Sequence, residues 1–239
     1  MTNFYDDFKE FKTKVKTWEN DLRSYNGKVI VDGLVKAKMY FRSNPKIAWF
    51  LKEAYTVEEN GFHIKKHYGQ EDAYNNFFKL KATQTWHPII YSSYAILNNY
   101  DSYNDMYDIK GDPSMCDVIK QIAIINANKF PSQTYSRTTA SNLKKGFEEF
   151  QNFLKQQIDL LNPSILIFGG TFHLYKESIF KLTNKHKIKE FDELKKSGVG
   201  AWIDNGRLFL EVYHPANTQM KHPDYVDSIL RAYKRWKCT

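Results

Sequence analysis

Cysteine is nearly absent: Cys116 and Cys238 are the only two in 239 residues. That excludes a cysteine-only zinc or iron-sulfur site within one chain and leaves no disulfide framework, so a reducing compartment is expected. The amino terminus, Met1-Thr2-Asn3-Phe4-Tyr5-Asp6-Asp7, lacks the basic start and the apolar stretch of a secretion signal, and no later run approaches the length of a membrane span. A cytoplasmic protein without a membrane partner is expected. Acidic side chains are in deficit, 27 against 35 Lys and Arg, for a formal net charge of +8. This favours a polyanionic partner, with nucleic acid, a membrane surface and general solubility all open on charge alone. Tyr residues in polar stretches such as Tyr100-Asp101-Ser102-Tyr103 suit base stacking as well as ordinary packing. The abundance of Lys, Asn, Ile, Tyr and Phe also fits an AT-rich coding genome, which discounts part of the charge argument.

Hydrophobic periodicity supplies the elements. Phe4, Phe8, Phe11, Val15, Trp18 and Leu22 recur at spacings of four and three, which predicts a helix from about Asn3 to Ser24, closed by Asn26-Gly27 and docked through its aromatic stripe. Leu143, Phe147, Phe150, Leu154, Ile158 and Leu161 predict a second, ending ahead of Pro163, and Val226, Ile229, Leu230 and Tyr233 a third over about Pro223 to Trp236. Four short apolar runs bounded by turn residues read as strands: Lys46 to Leu51, Lys120 to Ile125, Ser164 to Phe168 and Arg207 to Tyr213. The last follows Ala201-Trp202-Ile203 across a predicted hairpin turn, Asp204-Asn205-Gly206. The near-continuous apolar third run fits a strand buried on both faces. The expectation is α/β, a three-layer α/β/α domain with a central, mostly parallel sheet spanning 1–239, with a long insertion-like segment at about 57–113.

Parallel sheets place ligands at the carboxyl ends of their strands, and here those ends carry chemistry. Lys52-Glu53-Ala54-Tyr55, Asn126-Ala127-Asn128-Lys129, Gly169-Gly170 and His214-Pro215-Ala216 follow the four strands in turn. Each group also has a structural reading: Glu53 as a helix-start carboxylate, Asn126 as a partner for loop backbone, Gly169-Gly170 as a positive-φ turn, and His214 as a hydrogen-bonded structural histidine. Their repetition at successive strand ends points to a joint function.

These segments resemble the uracil-DNA glycosylase superfamily, most closely its iron-sulfur branch. Val212-Tyr213-His214-Pro215-Ala216 is similar to that family's strand running into His-Pro and a small residue. Leu161 to Gly169 resembles the preceding strand, and Ile124-Ile125-Asn126-Ala127-Asn128-Lys129 the strand whose terminal Asn reads the base, with Lys three positions on. Leu51-Lys52-Glu53-Ala54-Tyr55 departs from the family's Gly-Glu-Ala-Pro version, with Lys52 for Gly and Tyr55 for Pro, and the cluster cysteines are missing. The likeness runs in order from about Lys46 to Trp236, with the segment between motif one and Asn126 unaligned.

The resemblance implies a DNA glycosylase that leaves an abasic site after excising uracil or a modified pyrimidine; with the cluster cysteines missing, no cofactor or metal is expected, and no obligatory protein partner. Glu53, Asn126 and His214 would be catalytic. His214 would stabilise the departing base anion, Asn126 would read the flipped base, and Glu53 would orient water or balance sugar charge. Ala54, Tyr55 and Phe62, of the loop Asn60-Gly61-Phe62, would join Asn126 around the base. Lys52, Lys129, Gly169 and Lys221 would meet DNA, with Gln219 or Met220 as a wedge into the duplex. Tyr55 and the long 57–113 segment imply altered pocket walls, suited to a bulky pyrimidine such as a sugar-modified cytosine of viral DNA in a defence role. The imperfect first motif also fits a non-catalytic nucleic-acid-binding module on the same fold. A hydrolase using His87 of Trp86-His87-Pro88 with Glu53 has neither a Gly-x-Ser-x-Gly elbow nor a paired metal-ligand motif behind it.

Overall fold

A computed structural model describes residues 4–25, 27–56, 61–69, 83–132, 138–191 and 194–239. The expected helix start at Asn3, the Asn26 half of its stop signal, Asn60, and residues 57–60 and 70–82 of the 57–113 segment lie outside them. In chain order the described elements are α1 (Phe4–Arg23), β1 (Ile30–Val31), β2 (Gly33–Leu34), α2 (Ala37–Arg42), β3 (Ile47–Leu51), β4 (Phe62–His63), α3 (Ile64–Tyr68) and α4 (Thr83–Asn98). A 3-10 helix at Pro113–Lys120 leads into β5 (Ala123–Asn126), α5 (Ala140–Glu149), α6 (Gln151–Leu161), β6 (Ile165–Gly169) and α7 (Phe172–Tyr175). The chain finishes with α8 (Leu194–Ser197), β7 (Gly200–Asp204), β8 (Arg207–Val212) and α9 (His222–Lys237).

The main sheet runs β2-β5-β3-β6-β8-β7. Its four inner strands are parallel and its two edges antiparallel, so the fold is mixed α/β with a mostly parallel central sheet. Side-chain alternation sends Ile47, Trp49 and Leu51 into one core and Ala48 and Phe50 into another. Residues of α4 and α9 complete the first core, and residues of α1, α5 and α6 the second, so helices flank both faces. Trp49 Nε1 of β3 donates to Ser93 Oγ of α4 at 2.9 Å, tying the sheet to one helical layer, and Trp18 Nε1 of α1 donates to the Phe153 carbonyl of α6 at 3.1 Å, tying two helices of the other.

Three differences from the sequence reading have physical causes. The helix expected over 143–161 is two, broken at Phe150, whose φ and ψ are −102° and 12°. Phe150 is nonetheless fully buried between Phe147 and Leu154 in one core, so the apolar spacing passes through the break unaltered. β5 starts at Ala123 because Lys120 ends the 3-10 helix. The 57–113 segment is not an appendage in its described part: α4 buries Trp86, Ile89, Ile90, Ala95 and Ile96 against the sheet. The expected hairpin is present, with Asn205 (φ 48°) and Gly206 (φ 73°) joining β7 to β8, the two positive values that a type I′ turn requires.

Both sheet edges are short or covered. β2 contributes only Gly33 and Leu34. Along β7, the Ile188 N–H donates to the Ala201 carbonyl at 2.8 Å, and Lys187 bridges to Trp202.

Candidate functional site

The sheet topology defines a crevice. From β3 the chain crosses to β5 on one side and returns to β6 on the other, so the loops leaving β3 and β6 diverge, the geometry at which open α/β sheets take their ligands. A cleft of about 610 Å³ opens there, within the usual range for small-ligand sites. Lys52, Glu53 and Tyr55 line it after β3, Gly170 after β6, and Glu211, His214 and Gln219 on and beyond β8.

Backbone pairing beyond the strands fixes Glu53. The Ala127 and Asn128 N–H groups donate to the Leu51 and Lys52 carbonyls at 2.8 and 2.9 Å, Ser132 N–H donates to Ala54 O at 2.9 Å, and Thr56 N–H donates to Ser132 O at 3.0 Å. The loop therefore continues the β3–β5 pairing, and Ala54 serves through its carbonyl rather than as part of the cleft wall. Burial raises the Glu53 pKa, with Lys52 and a hydrogen bond from Thr138 opposing. Among the described residues its buried Oε2 has no hydrogen-bond partner, an acceptor that a ligand or water would satisfy.

His214 is held by its own turn. The Ala216 N–H donates to His214 Nδ1 at 3.2 Å, which makes Nδ1 the acceptor and leaves the ring proton on Nε2. Burial, with the Lys52 charge adding to it, lowers the pKa to about 4, so the ring is neutral at pH 7. The turn is anchored on both sides: Tyr225 Oη donates to Tyr213 O at 2.9 Å, and Asn217 Oδ1 accepts the Gln219 and Met220 N–H groups at 2.8 and 2.9 Å.

Asn126 and Lys129 have a different task. Asp32, just ahead of β2, accepts the Asn126 backbone N–H and side-chain amide through Oδ2 at 2.6 and 2.9 Å. Its Oδ1 accepts Lys129 Nζ at 2.6 Å and Gln157 Nε2 at 3.0 Å. Both members of the Asp32–Lys129 ion pair are fully buried, and Lys129 Nζ also lies 5.7 Å from the Trp18 ring centre. Burial pulls the Lys129 pKa down against the opposing pull of Asp32. Lys129 therefore has no path to a phosphate, and Asn126, turned toward Asp32, stands outside the cleft lining. The network instead pins the turn whose N–H groups hold the Glu53 loop.

Other expected contacts also move. Phe62, in β4 beside β1, stacks on His67 with ring centres 4.7 Å apart and stands outside the cleft lining. Gly169 lies under Pro215 and Leu51, where a Cβ would fall 2.9 and 3.1 Å from their side chains; it is a packing glycine with no DNA-facing surface. Met220 covers Gly198, its Cε 2.6 Å from where a Cβ would stand, and packs on the core rather than projecting as a wedge. Gln219 is exposed at the cleft, and Lys221 is exposed at the start of α9, outside the lining. His87 lies on α4 near His222, not with Glu53. The sequence reading passed over Glu211, a cleft carboxylate inside Leu208-Phe209-Leu210-Glu211-Val212; the signal was a charge in an otherwise apolar strand.

The turn after β5 is tightly seated. Asn128 Oδ1 accepts the Phe130 N–H at 2.9 Å, and a Cβ on Gly146 of α5 would fall 2.1 Å from that oxygen. Gly146→Ala is expected to cost about 1–3 kcal/mol, the usual penalty of overpacking. Urea unfolding of this variant, alone and with Asn128→Ala, checks it: the second change should recover most of the loss.

Neither the protein-family models nor the curated proteins compared with this chain match it.

Proposed function

We propose that this chain is a DNA glycosylase, hydrolysing the N-glycosidic bond of a flipped-out pyrimidine, uracil or a modified base, to leave an abasic site. The observation that carries the reading is the pairing, in one cleft at the sheet's switch point, of a neutral His214 offering Nε2–H with a Glu53 whose buried Oε2 has no partner among the described residues. In such a reaction the bond from C1′ to the base breaks and its electron pair goes to the base. The imidazole N–H stabilises the negative charge growing on the base carbonyl. Glu53 accepts a hydrogen bond from the water that adds to C1′; that water supplies the new hydroxyl, and its proton neutralises the departed base. Tyr55 offers a face for the flipped base, and Lys52 brings positive charge to the phosphate side.

Mass analysis of bases released from a panel of modified DNAs tests the reading. Glu53→Gln is expected to slow release by about 10²–10⁴-fold, the range for a positioned acid-base group; an unchanged rate would remove Glu53 from the mechanism. One observation favours a second reading, a DNA-binding module without catalysis: the Asn126 amide is engaged by Asp32 and so leaves the cleft without the expected base reader. Tight DNA binding by the wild-type protein with no base released from any substrate would select that module.

A further inference from the structure

We infer that Glu211 contacts the substrate and selects a base carrying a hydrogen-bond donor, an amino or hydroxyl group, over uracil. The inference rests on the glycosylase reading and adds a substrate class to it.

The strand makes the residue anomalous. Along β8, Leu208, Leu210 and Val212 enter one core and Phe209 the other, so Glu211 follows Phe209 on its face of the sheet. That position is half-buried beside the cleft, and a carboxylate taken from water there needs compensating partners. None is present among the described residues: no hydrogen bond and no ion pair holds it. Burial raises its pKa, while Lys187 and Lys176 oppose this only through their fields; their ammonium groups lie 5.3 and 5.6 Å from the Trp202 ring centre.

The neighbouring strand leaves room for the group. Glu211 pairs with Gly200, where a Cβ would stand 3.1 Å from Glu211 Oε2. The carboxylate thus has space, is partly desolvated, and gains no bond from the described residues. Together with Glu53 Oε2 it gives the cleft two carboxylate acceptors seeking donors. Pyrimidines differ in what they present: cytosine carries an exocyclic amino donor where uracil carries a carbonyl. A carboxylate accepts from that amino group or from a hydroxyl substituent and repels the carbonyl, which ranks these bases in the order the inference states.

The test uses oligonucleotides with one mismatched uracil, cytosine or 5-hydroxymethyluracil, measuring both binding by fluorescence anisotropy and base release by mass analysis for wild type, Glu211→Ala and Glu211→Gln. Wild type is expected to favour the two donor-bearing bases over uracil by about 10–100-fold, the discrimination of one good base contact. Glu211→Ala should bring the three bases to within about threefold, and Glu211→Gln, whose amide donates as well as accepts, should raise uracil most. Equal or better handling of uracil by wild type, or a preference that survives in Glu211→Ala, overturns the inference. A donor preference in binding with no release would overturn the glycosylase reading and leave the role of Glu211 standing, whereas absence of DNA binding overturns both.

Discussion

Replacing His214 by alanine is expected to lower base release by about 10²–10³-fold, the loss that follows removal of one preorganised donor to a developing anion, with DNA affinity changed by no more than a few-fold. His214→Asn is the more informative partner variant. Its side-chain oxygen can still accept the Ala216 N–H, as Asn does in such turns, so the loop is kept while the imidazole is removed. Single-turnover release and anisotropy on the same DNA separate the two effects; full activity in His214→Asn would dismiss the imidazole from the reaction. The pH dependence gives an independent reading. Because the folded pKa lies near 4, below the ordinary value of 6.5, the ring is neutral throughout pH 6–8, and the release rate should show no inflection there from His214. For stability, the unfolded chain takes up the proton first as pH falls. The His214 contribution is therefore constant above about pH 6.5 and is lost progressively toward pH 4.

The second large effect concerns stability. Lys129→Met removes the cation that faces Asp32 and leaves a buried carboxylate without its ion-pair partner, a change that costs about 3–5 kcal/mol. At this size the melting temperature should fall by roughly 10 °C. Adding Asp32→Asn removes the stranded charge, and the double variant should melt above Lys129→Met alone; equal melting temperatures would show that the two side chains do not depend on each other. A double-mutant cycle isolates the coupling. Because the same turn holds the Leu51 and Lys52 carbonyls, activity should fall in these variants along with stability.

Where the sequence reading succeeded and failed follows from the range of each interaction. Short apolar runs and their breakers are local, so β3, β6 and β8 were legible to within a residue, as were α9 and the end of α1. Strand-end loops carrying Glu53 and His214 were legible for the same reason, since their positions follow from the strands. The partners of those loops were not. Asp32 stands 94 residues from Asn126 and 97 from Lys129, and no local pattern marks a carboxylate as the centre of a buried network. Lys129, read from its place after a strand, therefore looked like a surface cation. Gly169 and Met220 failed similarly, because Pro215 and Gly198 decide what each one packs against. Glu211 was missed for the opposite reason: its strand was recognised by its apolar residues, and the one charge within it went unread.

The treatment of the sheet margins bears on how the protein behaves in company. An open strand edge is a row of unpaired N–H and C=O groups, and it is the usual place where one chain recruits another into a growing sheet. Here one margin is two residues long, and the other already gives the Ala201 carbonyl to Ile188. The apolar inner strands, Ile165 to Gly169 above all, would be strong templates for self-association if they stood at a margin. Placed in the middle and fenced in this way, they leave the described margins of the main sheet little to offer a neighbouring copy.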